Sequence, residues 1–356
     1  MTIIIFILVL AVLIFVHELG HFLFAKWAGI RVDEFAIGFG PRIWSRKIGQ
    51  TEYFLKLIPF GGYVKIFGEN PDDDSISGPD RNRSFVHKPK LEQIAVLGAG
   101  VLFNFIFAYL LFIITFSSGV LASNESYPQY RDRMTDVHIA VTFVSPGSPA
   151  EKAGLMAGDT LIANSIKEIQ DNINTSQNNG VEIKYKRDGL ENKIKIIAEE
   201  KIVEGKYAIG IAMDDVATLR LPFHLAIYEG WRFTIHIISA TVVGFYDLIA
   251  GAFHGTSSLD SVTGPVGIAG LVGDAMKLGF TYLLMFTALI SINLGVLNLL
   301  PFPALDGGRI LFVAIEAIIR RPIKPVIANT VNAIGFGLLI LLMVFITYKD
   351  IARLFN

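Results

Sequence analysis

The chain has 356 residues, 52% of them hydrophobic and 18% charged, and a formal net charge of −1; its mean hydropathy is +0.52. That is too apolar for an ordinary soluble domain and indicates an integral membrane protein, mainly α, with some water-facing mass. No basic, aromatic-interleaved stretch suggests a nucleic-acid partner, and the absence of cysteine excludes a disulfide framework and any Cys-based metal site.

Residues 1–28 read as a first transmembrane helix, since about 20 apolar residues cross ~30 Å of hydrocarbon. The run lacks the basic start and small-residue cleavage site of a secretory signal. It contains Ile14-Phe-Val-His-Glu-Leu-Gly-His21. His17 and His21 fall one helical turn apart on one face, where two imidazoles can share a Zn²⁺. Glu18 is placed to act as general base on a metal-bound water. Ionisable groups at membrane depth are costly and mark function by default. Lys26, Arg31, Arg42, Arg46, Lys47, Lys56 and Lys65 follow, which puts the next segment in the cytoplasm and the N-terminus outside.

Residues 29–90 form a cytoplasmic-side β region. Val32, Phe35 and Ile37, then Tyr53 to Ile58 and Tyr63 to Phe67, alternate around Gly38-Phe-Gly-Pro41 and Pro59-Phe-Gly-Gly62, a pattern of short strands and turns. Such an edge either pairs with an extended substrate or forms a small cap. Glu69 to Arg83, with Asp72-Asp-Asp74, reads as a solvated loop without EF-hand spacing. Residues 91–119 are the second span. Its Gly98-Ala-Gly100 admits a close helix neighbour, and Asn104 either donates toward the histidines or bonds between helices.

Residues 123–215 turn soluble, with alternation at Ile139/Val141/Phe143, Ile183/Tyr185, Ile194/Ile196 and Ile209/Ile211. Ser145 to Leu161, with Pro146-Gly-Ser-Pro-Ala150 and Ala153-Gly-Leu-Met-Ala-Gly-Asp159, resembles the PDZ signature, which implies one extracytoplasmic PDZ-like β/α domain and a peptide ligand bound by strand addition. In residues 222–254, Glu229, Arg232, His236, Ser239 and Asp247 form a polar stripe, the mark of an amphipathic helix lying on the membrane surface. Thr263-Gly-Pro-Val-Gly267 is a turn-forming lead into residues 280–307, the third span. It ends in Asn298-Leu-Leu-Pro-Phe-Pro-Ala-Leu-Asp-Gly-Gly-Arg309. Arg309, Arg320, Arg321 and Lys324 make that end cytoplasmic, and residues 333–349 return outside as the fourth span. A catalytic zinc takes three protein ligands and one open position. Asp306, beside two glycines and at the same depth as the histidines, is the third candidate. Asn298 is a candidate for binding the scissile carbonyl or the water.

The His-Glu-x-x-His span, Pro59 to Lys65, the PDZ-like insert, Gly264-Pro-Val-Gly and Asn298-x-x-Pro-x-Pro-x-Leu-Asp-Gly307 occur in the order seen in bacterial site-2 proteases, which the chain resembles over essentially its whole length. The resemblance implies an intramembrane zinc metalloprotease of the bacterial inner (cytoplasmic) membrane. It implies His17, His21 and Asp306 as zinc ligands, Glu18 as catalytic base and Asn298 as a substrate-binding or transition-state residue. Pro59, Phe60, Gly61, Gly62, Tyr63 and Val64 match the strand-forming loop that engages extended substrate. Implied substrates are membrane-anchored anti-sigma factors and remnant signal peptides, in regulated intramembrane proteolysis. Two departures stand out: Gly100-Val101 where the family often has Gly-Pro, and one PDZ-like unit where some members have two.

Overall fold

The structure is a computed structural model that describes residues 1–70, 73–123, 126–145, 147–176, 179–187, 189–203, 206–255 and 263–354. Asp72 of the acidic loop and Pro146 of the turn-rich stretch lie outside these residues, as do the side chains of Pro59, Phe60, Asp73 and Asp74. The chain divides into two units, 1–115 with 224–356, and 116–223.

The first unit opens with helix α1 (Thr2–Trp27), about 39 Å long at 1.5 Å per residue. Strands β1 (Val32–Ile48) and β2 (Thr51–Ile66) follow. They are longer than the short strands expected, because each carries on through a bend. Their register shows a ribbon folded back on itself. Ile48 faces Thr51 and Trp44 faces Leu55 across the hairpin, while Phe35 faces both Tyr53 on one side and Val64 on the other. Residues 34–37 are therefore central. Residues 42–48 and 62–66 form the two outer edges. The bends coincide with Gly38 to Pro41 and Pro59 to Gly62, where Gly38 and Gly61 lie at φ +84° and +85°, a region that suits glycine.

A one-turn helix α2 (Asp73–Ser77) precedes α3 (Lys90–Ser118). The second unit holds β3 (Val120–Ser123), β4 (Met134–Val144), α4 (Pro149–Ala153), β5 (Thr160–Leu161), α5 (Ile166–Ser176), β6 (Val181–Arg187), β7 (Leu190–Ile196), β8 (Glu199–Val203), β9 (Lys206–Ala208) and β10 (Ile211–Leu219). Six of these strands make one sheet in the order β3-β10-β4-β5-β6-β7. Their inward residues, among them Val141, Leu161, Ile183 and Ile196, meet Ile169 and Ile173 of α5 in one core. Asp159 of the signature-like stretch is buried because Arg187 grips both its carboxylate oxygens at 2.6 Å.

The first unit resumes with α6 (Phe223–His254), α7 (Pro265–Leu278), α8 (Phe280–Leu299), α9 (Asp306–Ile319) and α10 (Pro325–Leu354). Five helices, α1, α3, α6, α8 and α10, are long and apolar enough to cross a membrane, where the sequence suggested about four spans. The additional candidate, by length and composition, is α6. Of its polar stripe, Arg232, His236, Ser239 and Asp247 are exposed, and Glu229 is buried and paired with Arg232 at 3.1 Å. It packs along α3, with Phe233 on Phe112 at 4.8 Å between centroids, and Thr241 donates to Asn293 in the middle of α8 at 3.2 Å.

Candidate metal centre

α3 runs opposite to α1 and supplies the surroundings of both histidines. A side chain at Gly100 would place its Cβ 2.3 Å from His21 Nε2 and 2.7 Å from His17 Cε1, so only glycine leaves room for the two rings. His21 Nδ1–H donates to the Val96 carbonyl at 2.9 Å. That bond fixes the tautomer and leaves the Nε2 lone pair free for a metal. His17 Nδ1 lies 3.2 Å from the side-chain nitrogen of Asn104, whose oxygen is buried without a partner. A half-turn of a primary amide exchanges its oxygen and nitrogen with almost no change of shape. Turning the amide over satisfies that oxygen and lets it accept from Nδ1–H, which again frees Nε2.

The third group arrives by a break in the helix. α8 stops at Leu299, and Pro301 to Leu305 bridge to α9, with Ala304 in the left-handed region at φ +76°. For a non-glycine residue that is strained. Asn332 of α10 holds it, its Oδ1 accepting from Ala304 N–H at 3.2 Å. Asp306 thus opens α9 instead of closing the third span, and a helix N-terminus favours its negative charge.

Three atoms converge. Asp306 Oδ2 lies 3.0 Å from His17 Nε2 and 3.4 Å from His21 Nε2, and the two Nε2 atoms are 3.2 Å apart. Asp306 Oδ2 is buried with no hydrogen bond despite these approaches. In a tetrahedral zinc site with bonds of about 2.0–2.2 Å, neighbouring ligands sit about 3.3 Å apart. Donor types, edge lengths and the orphaned oxygen all fit zinc. Among the described residues this is the one cluster of three or more such side chains able to share a metal.

Two cavities open on the cluster. The larger, about 480 Å³, is lined by His17, Glu18, His21 and Asp306 together with Tyr63 to Glu69 and Arg309. The smaller, about 260 Å³, places Asn298 with Glu18 and Asp306. Gly62 passes against Ile14 and Glu18. The structure therefore brings Gly62, Tyr63 and Val64 to the site. Pro59, Phe60 and Gly61 lie in the bend before it. Tyr63 O–H donates to Glu34 Oε2 at 2.6 Å; burial and that carboxylate push the Tyr63 hydroxyl up to about 12, and the same bond holds Glu34 below the usual carboxylate range. Sequence reasoning passed over Glu69, Asn332 and the Val96 carbonyl. Nothing local marks them, because each acts through a contact distant in the chain.

The sequence profile of Peptidase family M50 matches residues 5–342. The chain belongs to peptidase family M50. A candidate zinc metalloprotease of Clostridium perfringens (strain 13 / Type A) is 38% identical over 360 residues, covering 99% of this chain and 98% of the relative. Similarly named proteins of Rhizobium meliloti (strain 1021) and Staphylococcus aureus (strain MSSA476) are each 32% identical, covering 99% of this chain and 96% and 99% of themselves. This M50 peptidase is accordingly a zinc metalloendopeptidase and a multi-pass membrane protein.

Proposed function

We propose that this M50 peptidase hydrolyses peptide bonds within or beside transmembrane segments of other membrane proteins, in regulated intramembrane proteolysis. The observation that carries the reading is the ligand triangle: two histidines from a helix able to span the bilayer meet a carboxylate from the opposite end of the chain, with Glu18 between two cavities. Zinc, when bound, supplies Lewis-acid chemistry at a carbonyl and acidifies water. Glu18 takes a proton from the attacking water and passes it to the departing amine nitrogen. Asn298, in the cavity next to Glu18, donates its amide hydrogen to the scissile carbonyl or the water. The edge formed by residues 62–66 pairs with the substrate backbone, which a helical substrate presents only after local unwinding.

Substrates of the resembled class, trimmed anti-sigma factors and remnant signal peptides, suit a site that needs an unwound segment. In the second unit a cavity of about 400 Å³ runs between α5 and residues 207–213, lined by Phe143, Gln170, Ile173 and Ile209. It supports reading the unit as a PDZ-like peptide binder. The location is the bacterial cytoplasmic membrane, with N-terminus, PDZ-like unit and C-terminus outside.

The test is cleavage of a tagged transmembrane substrate in membranes by wild type and Glu18→Gln, with zinc content measured on both. The expected result is equal zinc and a cleavage rate lowered at least ~10²-fold in the variant, the range for losing a general base. A variant that cuts at the wild-type rate removes Glu18 from the chemistry. A wild type that holds zinc, passes it across the membrane and cuts no transmembrane substrate points to transport.

A further inference from the structure

The turn after β2 joins two parts of the site that lie 240 positions apart. Glu69 and Arg309 form an ion pair, and both line the larger cavity with His17, Glu18, His21 and Asp306. Neither belongs to the candidate ligand set or to the proton transfer described above. Both ends of the pair are firmly mounted. At one end, Phe67 N–H donates to the Arg31 carbonyl at 2.9 Å, Phe85 N–H donates to the Phe67 carbonyl at 2.9 Å, and Glu69 N–H donates to the Ile66 carbonyl at 3.2 Å. Gly68 turns the chain at φ +76°, and Ser84 Oγ fills the place a side chain would take. At the other end Arg309 stands one turn after Asp306, its N–H donating to the Leu305 carbonyl at 3.2 Å.

An exposed ion pair is worth little. This one is buried mainly at its acidic end, with 15% of the Glu69 side chain and 34% of the Arg309 side chain exposed. Removing Arg309 strands the Glu69 carboxylate beside the candidate ligands, and removing Glu69 releases Arg309 from its place one turn after Asp306. On one side of the pair the chain leads directly back into edge residues 63–66, and on the other it leads back one turn to Asp306.

We infer that Glu69 and Arg309 are positioning residues that couple the outer edge of β2 to Asp306, so that seating an extended peptide and holding zinc reinforce each other. The inference rests on the protease reading above. Coupling of this kind is reciprocal: whatever factor the peptide adds to zinc affinity, zinc adds to peptide affinity.

The test is a double-mutant cycle on the purified full chain in detergent: Glu69→Gln, Arg309→Gln and both together, with Arg309→Lys and Glu69→Asp as conservative variants. Zinc affinity is read by chelator competition, and KM and kcat on a transmembrane substrate. Each Gln variant is expected to weaken zinc by ~10- to 100-fold, as second-layer changes do, and to raise KM. The double variant should be no worse than the worse single, and Arg309→Lys should keep most of the affinity. Unchanged zinc affinity with a lowered melting temperature would make the pair mere scaffolding, and losses that multiply in the double variant would show two independent residues; either overturns the inference. If the Gln variants do not fold, Glu69→Asp decides: it keeps the charge but shortens the reach, so zinc affinity must fall. The zinc readout needs no cleavage, so the two failures are distinguishable: a wild type that holds zinc and cuts nothing sinks the protease reading, whereas Gln variants with wild-type zinc affinity in a wild type that cuts sink the coupling alone.

Discussion

At the scale of single residues, the two histidines depend on what stands behind them. If Asn104 accepts from His17 Nδ1–H, then Asn104→Asp, which can only accept, should keep zinc, whereas Asn104→Leu should lose ~10- to 100-fold in zinc affinity. Equal affinities in a chelator titration would mean that His17 needs no orienting partner. Tyr63 and Glu34 give a pH window. Glu34 has a depressed pKa when folded, so its share of stability is complete above the unfolded value of about 4.3 and fades as pH drops through the lower folded one. Tyr63 is raised to about 12, so its share is complete below the unfolded value of about 10 and is lost as pH climbs through the folded one. The destabilisation caused by Tyr63→Phe should therefore be largest at intermediate pH and shrink at both extremes. Melting of both proteins across pH checks this; a difference that does not change with pH would dissociate the two groups.

At the scale of elements, the contact of α3 with α1 separates two glycines two positions apart. Gly98 has open space where a side chain would go, and Gly100 has the imidazoles. Gly98→Ala should keep full zinc stoichiometry and gain up to ~1 kcal/mol of helix propensity, while Gly100→Ala should empty the site. Metal analysis of the purified variants decides, and a zinc-loaded Gly100→Ala would mean the rings can shift. His17, Glu18 and His21 were legible because helical spacing is a local rule and polar groups stand out in an apolar run. Asp306 was legible as a residue but not in its mounting. The break between α8 and α9 relies on Ala304 in a left-handed conformation, and that relies on Asn332, on another helix. The alternation of residues 31–67 signalled strands and its glycines signalled bends. It did not reveal that residues 34–37 are flanked on both sides, since alternation fixes which face a residue takes and says nothing of its neighbours across the sheet.

At the scale of the molecule, the ligand triangle constrains the path through the bilayer. α3 antiparallel to α1 returns the chain to the side where it began, and Asp306 can meet His17 only if α8 runs the same way as α1. The stretch from α6 through α7 must then make no net crossing. A simple count of five apolar helices is odd and misses this. α7 has 14 residues, about 21 Å, too short to return by itself a crossing made by α6. With no native cysteine in the chain, single cysteines report sides cleanly. Lys277→Cys and Arg320→Cys, treated with an impermeant maleimide, should label from opposite faces, the first from outside. Labelling from one face would break the proposed orientation. The polar stripe of residues 222–254 is exposed at Arg232, His236, Ser239 and Asp247 and buried at Glu229, because hydropathy along a helix does not tell which of its polar positions a neighbour will cover. The same geometry has a consequence for biosynthesis. His17 and Asp306 are 289 residues apart (306 − 17), so at ~5–20 residues per second a ribosome needs about 15–60 s to travel between them. Throughout that interval the growing chain carries two imidazoles and a carboxylate in the membrane with no third ligand to close the triangle. A chain arrested before Asp306 should hold zinc weakly, so the nascent enzyme is inert until its last third is inserted.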